Sequence, residues 1–266
     1  MKIKFISGWT GYGGSTIVLL EHCKLLQEAG YNVEFYGEQE WHLNRFFGSR
    51  LLYDLVINPD DILVYHYMEL ETRPICLQCI LFLHEKELYN IRSRKISGFD
   101  QIIFASQTQR DFHQIEGKIV NNPMLALVDI RQHYPPNQNI AGVVGTICER
   151  KNTHISIQKA LEDNRDLVYV FGNIGSNEYY EEKIQPLLSD RVMLRDLVDP
   201  SNLMYMYNQF DVLYHMGEDE SACLVLGECR LLNKPVIKSD KLFDYPLLDN
   251  KEILNQWKSV FNDTEI

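Results

Sequence analysis

Short apolar runs that alternate with helical patterns are the feature of this sequence that most restricts its fold. In the first half, the runs Ile3–Ser7, Ile62–His66 and Gln101–Ser106 have the composition of buried strands. Residues 17–30 between the first two runs have the pattern of an amphipathic helix that stops at Gly30. Strands that alternate with helices through short turns form parallel sheets with right-handed crossovers. The pattern therefore predicts an α/β protein.

The alternation is interrupted once and then restarts. Segment Asn121–Ile140 is rich in proline and amide residues, as expected of a linker between domains. After it come the strand-like runs Ala141–Gly145, Leu167–Gly172 and Asp211–Met216. We expect two Rossmann-like domains that face each other across a cleft. Their predicted bounds are 1–138 and 139–266.

Composition argues against several classes of protein. A net charge of -11 argues against a nucleic-acid-binding protein, which needs a basic face against phosphates. No apolar run approaches the roughly 20 residues that cross a bilayer, and the apolar part of the N-terminus is too short for a signal peptide. We therefore expect a cytoplasmic protein that has no integral membrane segment and binds no nucleic acid.

The six cysteines do not resemble a disulfide framework, which agrees with a reducing compartment. Cys76 and Cys79 form a C-x-x-C pattern that is followed by His84. Zinc would need a fourth ligand at a suitable spacing, and the sequence places none nearby. The pair continues into an apolar strand pattern, in which a free cysteine behaves as a small hydrophobic residue. We interpret both cysteines as core residues.

A glycine-rich turn, "GWTGYGGST", follows the first predicted strand. Gly11, Gly13 and Gly14 would let the backbone approach a ligand closely, and the start of the next helix would favour an anion. The spacing is not G-x-G-x-x-G, and no acidic residue ends the second strand as it does in dinucleotide sites. A tight strand-to-helix turn without a ligand explains these glycines about as well.

A basic pair, Arg150 and Lys151, stands between a strand that ends at Gly145 and a helix capped by Asn152 or Thr153. Two cations beside a helix N-terminus can hold a diphosphate, the lysine as a point charge and the arginine as a bidentate fork. The alternative is a solvated pair at the domain surface.

Two glutamates, Glu220 and Glu228, have seven residues between them. Glu220 lies in the loop that follows the strand Asp211–Met216, and Glu228 lies in the next predicted helix. Ligands of doubly wound sheets bind where strands end, so Glu220 is a candidate site residue. From the spacing alone, the simpler interpretation of Glu228 is an exposed position on an amphipathic helix.

Taken together and in this order, three stretches carry a resemblance: "GYGGS", "VVGTICERKN" and "LVDPSNLMYMYNQFDVLYHMGEDESACLVLGECRLLNKPVI". They resemble the retaining nucleotide-sugar glycosyltransferases of the GT-B fold, in the group marked by two glutamates separated by seven residues. The resemblance is strong over Ala141–Ser239. In the first half it rests mainly on the glycine loop and the order of the elements.

The resemblance implies a role for each matching residue. Glu228 would accept hydrogen bonds from the ribose hydroxyls, Glu220 would lie by the transferred sugar, and Lys151 would bind phosphate. His84 would lie near the sugar, although a buried histidine with a structural hydrogen bond fits its position as well. The implied donor-binding set is completed by Gly13, Gly14, Thr146, Arg150, Ser221, Ala222 and Cys223.

The sequence departs from the family in three places. Thr146 stands where the family usually has an arginine, and Arg150 would have to replace that arginine from another direction. The glycine that commonly follows the first glutamate is missing from "ESACL". The first domain is also short for the family.

The implied activity is transfer of a sugar, of the hexosyltransferase type, from a nucleotide-diphosphate sugar to a glycan, lipid-linked or protein acceptor. No D-x-D carboxylate cluster is placed to serve a diphosphate, so we expect a metal-independent enzyme with no cofactor besides its donor substrate. Three alternatives stay open. They are a non-catalytic nucleotide-sugar-binding relative, a Rossmann oxidoreductase that lacks the usual acidic partner, and an inverting GT-B enzyme or epimerase that leaves the paired glutamates unexplained.

Overall fold

The computed structural model describes residues 1–8, 14–38, 49–66, 68–84, 94–123, 139–195, 198, 203–218, 220, 222–242 and 248–261. These residues form two compact α/β units, each built on a parallel sheet. Across the described ranges, no helix has both the length and the apolar character needed to cross a membrane.

The first unit contains a seven-stranded sheet with the order β3-β2-β1-β4-β5-β6-β7. Its strands are β1 (Ile3–Ser7), β2 (Val33–Gly37), β3 (Ser49–Leu51), β4 (Ile62–His66), β5 (Gln78–Leu83), β6 (Gln101–Phe104) and β7 (Lys118–Ile119), with helices α1 (Gly14–Glu28) and α2 (Gln107–His113). Helix α2 begins after Ser106, whose hydroxyl accepts a hydrogen bond from the Gln109 amide. The four strands β1, β2, β4 and β5 are almost wholly buried, as expected of a sheet covered on both faces.

The second unit contains a five-stranded parallel sheet with the order β10-β9-β8-β11-β12. Its strands are β8 (Ile140–Val144), β9 (Leu167–Phe171), β10 (Val192–Arg195), β11 (Val212–His215) and β12 (Val236–Lys238). Its helices are α3 (Thr153–Glu162), α4 (Asn177–Tyr179), α5 (Leu203–Tyr207) and α6 (Leu224–Leu231), and a π-helical turn, Tyr180–Ile184, extends α4. Both predicted parallel sheets are therefore present.

The turns that follow β8 and β9 approach each other closely. Gly145 has φ 135° and Gly172 has φ 152°, which are values that side chains disfavour. A Cβ atom added at Gly172 would lie 2.0 Å from the carbonyl oxygen of Gly145. This contact fixes the path of the chain as it leaves β8 toward α3.

The last helix, α7 (Asn250–Val260), packs on the first unit. It begins with a capping box, in which the Asp249 carboxylate accepts from the Glu252 amide and the Glu252 carboxylate accepts from the Asp249 amide. Trp257 on its inner face is fully buried, and its indole N–H donates to His22 Nδ1 at 3.0 Å. The Gln256 side chain exchanges two hydrogen bonds with Asn121.

The units are Met1–Leu125 with Leu247–Ile266, and Ala126–Pro246. This division differs from the predicted bounds 1–138 and 139–266, because the C-terminal segment belongs to the first unit. The physical reason is the burial of Trp257 beside Phe5 and Phe82, with ring centroids 5.6 and 5.7 Å away. Most of the predicted linker, residues 124–138, lies outside the described residues.

Cys76 and Cys79 are free and buried in the core of the first unit. Burial raises the pKa of both thiols, that of Cys79 to about 12. Both thiols are therefore protonated at neutral pH. Their interpretation as core residues is confirmed.

Candidate active site

The candidate site lies at the carboxyl ends of β8 and β11 in the second sheet. These adjacent strands are the point at which the strand order reverses, because β9 and β10 continue to one side and β12 to the other. Crevices of this kind are where parallel α/β sheets bind ligands. The chain leaving β8 carries Arg150 and Lys151 in a 3₁₀ turn, Glu149–Lys151, and the chain leaving β11 carries Glu220.

Hydrogen bonds join the start of α3 to the end of β11. The Asn152 side-chain amide donates to the Met216 carbonyl at 3.2 Å, and the Met216 amide donates to Ser156 Oγ at 3.0 Å. Gly217 follows at a point of close approach, where an added Cβ would lie 3.0 Å from His215 Nε2 and 3.5 Å from Lys151 Cα. The lysine and the glutamate are thus brought together by backbone contacts as well as by their charges.

Three basic side chains surround the carboxylate of Glu220. The Lys151 ammonium binds Glu220 Oε1, and Arg150 Nη1 lies 3.5 Å from Oε2. His215 Nε2 lies 3.2 Å from Oε1, and 3.6 Å from the sulfur of Cys223. The side chain of Glu220 is only 8% exposed and that of His215 only 3%. These contacts form one partly buried ionic cluster.

The ionisation of the cluster follows from these contacts. Burial alone would raise the pKa of Glu220, but the charge of Lys151 and the contact with His215 outweigh it and lower that pKa to about 2. Burial alone would lower the pKa of His215, but hydrogen bonds to Cys223 and Glu220 raise it to about 9. At neutral pH the cluster therefore contains three cations and one anion, and its net positive charge suits a phosphate ligand.

Glu228 lies in the second turn of α6 and is partly buried. The hydroxyl of Tyr207, a fully buried residue at the end of α5, donates to Glu228 Oε2. Burial raises the pKa of the Glu228 carboxyl, and the hydrogen bond from Tyr207 opposes that rise. Glu228 is therefore not a solvated residue of an exposed helix face.

The other residues of the implied donor-binding set that belong to the second unit have the following positions. Thr146 Oγ1 donates to Asn173 Oδ1 at 3.1 Å, so this threonine turns to the loop after β9. Arg150, which the sequence offered in place of an arginine at 146, does reach the ionic cluster. Ala222 and Cys223 directly precede α6, and Cys223 is buried. Ser221 lies outside the described residues.

Gly14 and His84 belong to the first unit. Gly14 is the exposed first residue of α1, and Gly13 lies outside the described residues. His84 follows β5 and is 6% exposed; its ring centroid lies 5.1 Å from that of His66. Burial lowers the pKa of His84 to about 3, despite a hydrogen bond with Asn122. His84 is therefore neutral at physiological pH.

His66 stands at the end of β4 beside the end of β1, since its register partner is Ser7. The Ser7 hydroxyl and His66 Nδ1 are 3.0 Å apart. β1 and β4 are the strands at which the order of the first sheet reverses. A polar group therefore lies at the switch point of this sheet also.

Sequence reasoning missed His215 and Tyr207. The position of His215 at the end of a strand, directly before the acidic loop, was a usable signal. The pairing of Tyr207 with Glu228 left no signal in the sequence, because the two residues are 21 positions apart on different helices. His215, Glu220 and Cys223 also bring three possible metal ligands within 4.8 Å of one another.

Neither a family model nor a curated protein matches the sequence. Solved structures do match. Sucrose-phosphate synthase from Thermosynechococcus elongatus superposes with a TM-score of 0.65 and 14% identity, over 99% of this chain and 90% of that one. WaaG, a glycosyltransferase involved in lipopolysaccharide biosynthesis, superposes with a TM-score of 0.64 and 12% identity, over 98% of this chain and 90% of that one. The fold is that of the GT-B glycosyltransferases.

A third similar structure is an α-glucosyltransferase in complex with UDP and a 13-mer DNA, with a TM-score of 0.63 and 14% identity over 98% of this chain and 89% of that one. The GT-B-like architecture predicted from the sequence is thus confirmed as a fold. That neighbour is bound to DNA, so the absence of nucleic-acid binding here stays a prediction based on the charge of -11.

Proposed function

We propose that this protein is a retaining glycosyltransferase that transfers a sugar from a nucleotide-diphosphate sugar to a carbohydrate, lipid-linked or protein acceptor. The ionic cluster at the switch point of the second sheet carries the proposal. Lys151 and Arg150 would turn from Glu220 to the diphosphate, where their charges stabilise the leaving group without a metal ion. The amides at the start of α6 would add to this effect.

Glu228 would hold the ribose of the donor. Its carboxylate faces the hydroxyl of Tyr207 with one oxygen, and two ribose hydroxyls are the donors that would suit its remaining acceptor positions. Glu220 would lie by the transferred sugar. In the proposed step the bond between the anomeric carbon and the diphosphate oxygen breaks. The acceptor oxygen bonds to that carbon on the same face, and its proton passes to the departing diphosphate.

Lys151→Met provides the test. The purified protein is incubated with a panel of UDP-, GDP- and ADP-sugars, and the released nucleoside diphosphate and the glycosylated or hydrolysed product are measured. Because the lysine would stabilise charge that develops in the transition state, its loss should lower kcat by about 100-fold or more. Glu228→Gln should mainly raise KM for the donor, because the ribose contact is present in ground and transition states alike.

Lys159→Met is the matched control. Lys159 lies on α3, is partly exposed, and forms a 2.6 Å ion pair with Asp163 one turn away. This variant should keep the full rate. Full activity in both Lys151→Met and Glu228→Gln would refute the assignment. Nucleotide-sugar binding without any turnover in the unmodified protein would identify a non-catalytic relative instead.

A further inference from the structure

In the proposed transfer Lys151 and Arg150 contact the diphosphate, whereas the imidazole of His215 and the thiol of Cys223 contact neither substrate. Both are buried: His215 Nε2 faces Glu220 Oε1, the oxygen that Lys151 also binds, and the sulfur of Cys223 lies 3.6 Å from His215 Nε2. His215 ends β11 and Cys223 directly precedes α6, so the backbone at each end of the loop is fixed by a regular element. Their convergence needs its own explanation.

We propose that His215, Glu220 and Cys223 form a binding site for a zinc ion. Nitrogen, carboxylate oxygen and thiolate sulfur are the ligands that zinc takes in proteins, at bond lengths of about 2.0–2.3 Å. At tetrahedral angles those lengths imply ligand separations of about 3.4 Å for nitrogen and oxygen and about 3.6 Å for nitrogen and sulfur. The observed separations from His215 Nε2 are 3.2 Å to Glu220 Oε1 and 3.6 Å to Cys223 Sγ.

Zinc and Lys151 compete for one oxygen. The ammonium of Lys151 binds Glu220 Oε1, which is the oxygen that also faces His215. A dication held by the three ligands would repel that ammonium and displace it from the carboxylate. The two states of the cluster are therefore exclusive, with Glu220 bound either to the lysine or to zinc. The fourth zinc position would remain open.

Zinc binding does not depend on the proposed transferase activity, so its test uses the metal alone. The full chain, freed of metal with a chelator, is titrated with Zn²⁺ by calorimetry and with Co²⁺ by absorption. We expect one ion per chain and a thiolate-to-cobalt charge-transfer band. Cys223→Ser and His215→Gln should each abolish the band and weaken zinc binding by about 100-fold or more, since even outer partners of zinc ligands contribute 10–100-fold.

Two further variants make the test specific. Cys148→Ser changes a more accessible thiol of the same unit and should leave both signals unchanged. Lys151→Met removes the competing charge and should tighten zinc binding by at least about tenfold, whereas Lys159→Met should not. Circular dichroism and melting curves establish that each variant is folded.

Unchanged zinc affinity in folded Cys223→Ser and His215→Gln would overturn the proposal. So would a charge-transfer band that disappears only in Cys148→Ser. Weaker rather than tighter binding in Lys151→Met would refute the competition between lysine and zinc.

Discussion

Tyr207 and Glu228 show how a buried carboxyl group is kept in place for use. The phenol is fully buried, so its hydroxyl needs an acceptor, and Glu228 supplies it. The same contact orients the carboxylate. Tyr207 therefore acts as a positioning residue for Glu228, and its effect should appear in ligand binding.

Tyr207→Phe should weaken the binding of a nucleoside diphosphate by about tenfold to a hundredfold, the usual loss when a hydrogen bond to a charged group is removed. Isothermal titration with UDP measures the change. Tyr205→Phe is the matched control, because Tyr205 lies on the same helix and is 70% exposed. A 2′,3′-dideoxy nucleotide, which lacks the ribose donors, should bind equally to the wild type and to Tyr207→Phe. A defect of the same size with that nucleotide would contradict the assigned role.

Helix α7 shows that an element can be read from the sequence while its packing partner cannot. Its start is encoded locally, since Asp249 and Glu252 form a capping box. Where the helix packs depends on contacts with residues more than 200 positions away, such as the hydrogen bond from Trp257 to His22. That is why the predicted domain boundary assigned this segment to the second unit.

Trp257→Ala should destabilise the first unit by about 3–5 kcal/mol, because it leaves a cavity among buried rings and removes the donor to His22. Urea unfolding followed by circular dichroism measures the loss. Lys258→Ala, on the exposed face of the same helix, should change stability by no more than about 0.5 kcal/mol. Equal midpoints for the two variants would show that α7 does not support the first unit.

The strands that could be predicted from the sequence are likewise those with a local signal. β1, β4, β5, β8, β9 and β11 are apolar runs in the middle of their sheets, and composition identifies them. β3, β7 and β10 are edge strands of two to four residues, for which composition gives little signal. In the site, the sequence placed Lys151 and Glu220 after strands of the same predicted domain, but it did not predict the ion pair between them. The contacts of Glu220 with His215 depend on the path of the loop, which spacing does not encode.

The buried residues His22, His66 and His84 of the first unit and His215 of the second unit lie in opposite electrostatic settings. In the first unit His22, His66 and His84 are buried, and burial lowers the pKa of all three, with His84 further lowering those of the other two. Trp257 requires His22 to be neutral, because an indole N–H only donates and Nδ1 must accept it. In the second unit His215 is protonated beside Glu220.

Acid should therefore destabilise the first unit. Below the unfolded-state pKa of about 6.5 the histidines of the unfolded chain bind protons, whereas those of the folded unit stay neutral. The stability of the folded unit therefore falls as the pH falls toward the folded-state pKa of His84, which is about 3. Each histidine contributes up to about 1.4 kcal/mol per pH unit to this loss of stability between its unfolded-state and folded-state pKa values.

Tryptophan fluorescence can follow this loss, because Trp257 is buried in the first unit and contacts His22. The unfolding midpoint should decrease steadily from pH 7 to pH 5. In His84→Gln the free energy of unfolding should depend less steeply on pH, because about one proton fewer is taken up on unfolding. An unfolding midpoint independent of pH in this range would contradict the neutral state assigned to His22, His66 and His84.

The return of α7 to the first unit also sets an order of events during translation. The second unit is continuous in the chain, so it can close its core as soon as residues 126–246 have left the ribosome. The first unit is synthesised earlier but must wait for Trp257 to cover its sheet. In this molecule the half that is made first is completed last, and a nascent chain stalled before residue 250 would present the apolar surface around Phe5 and Phe82 to chaperones.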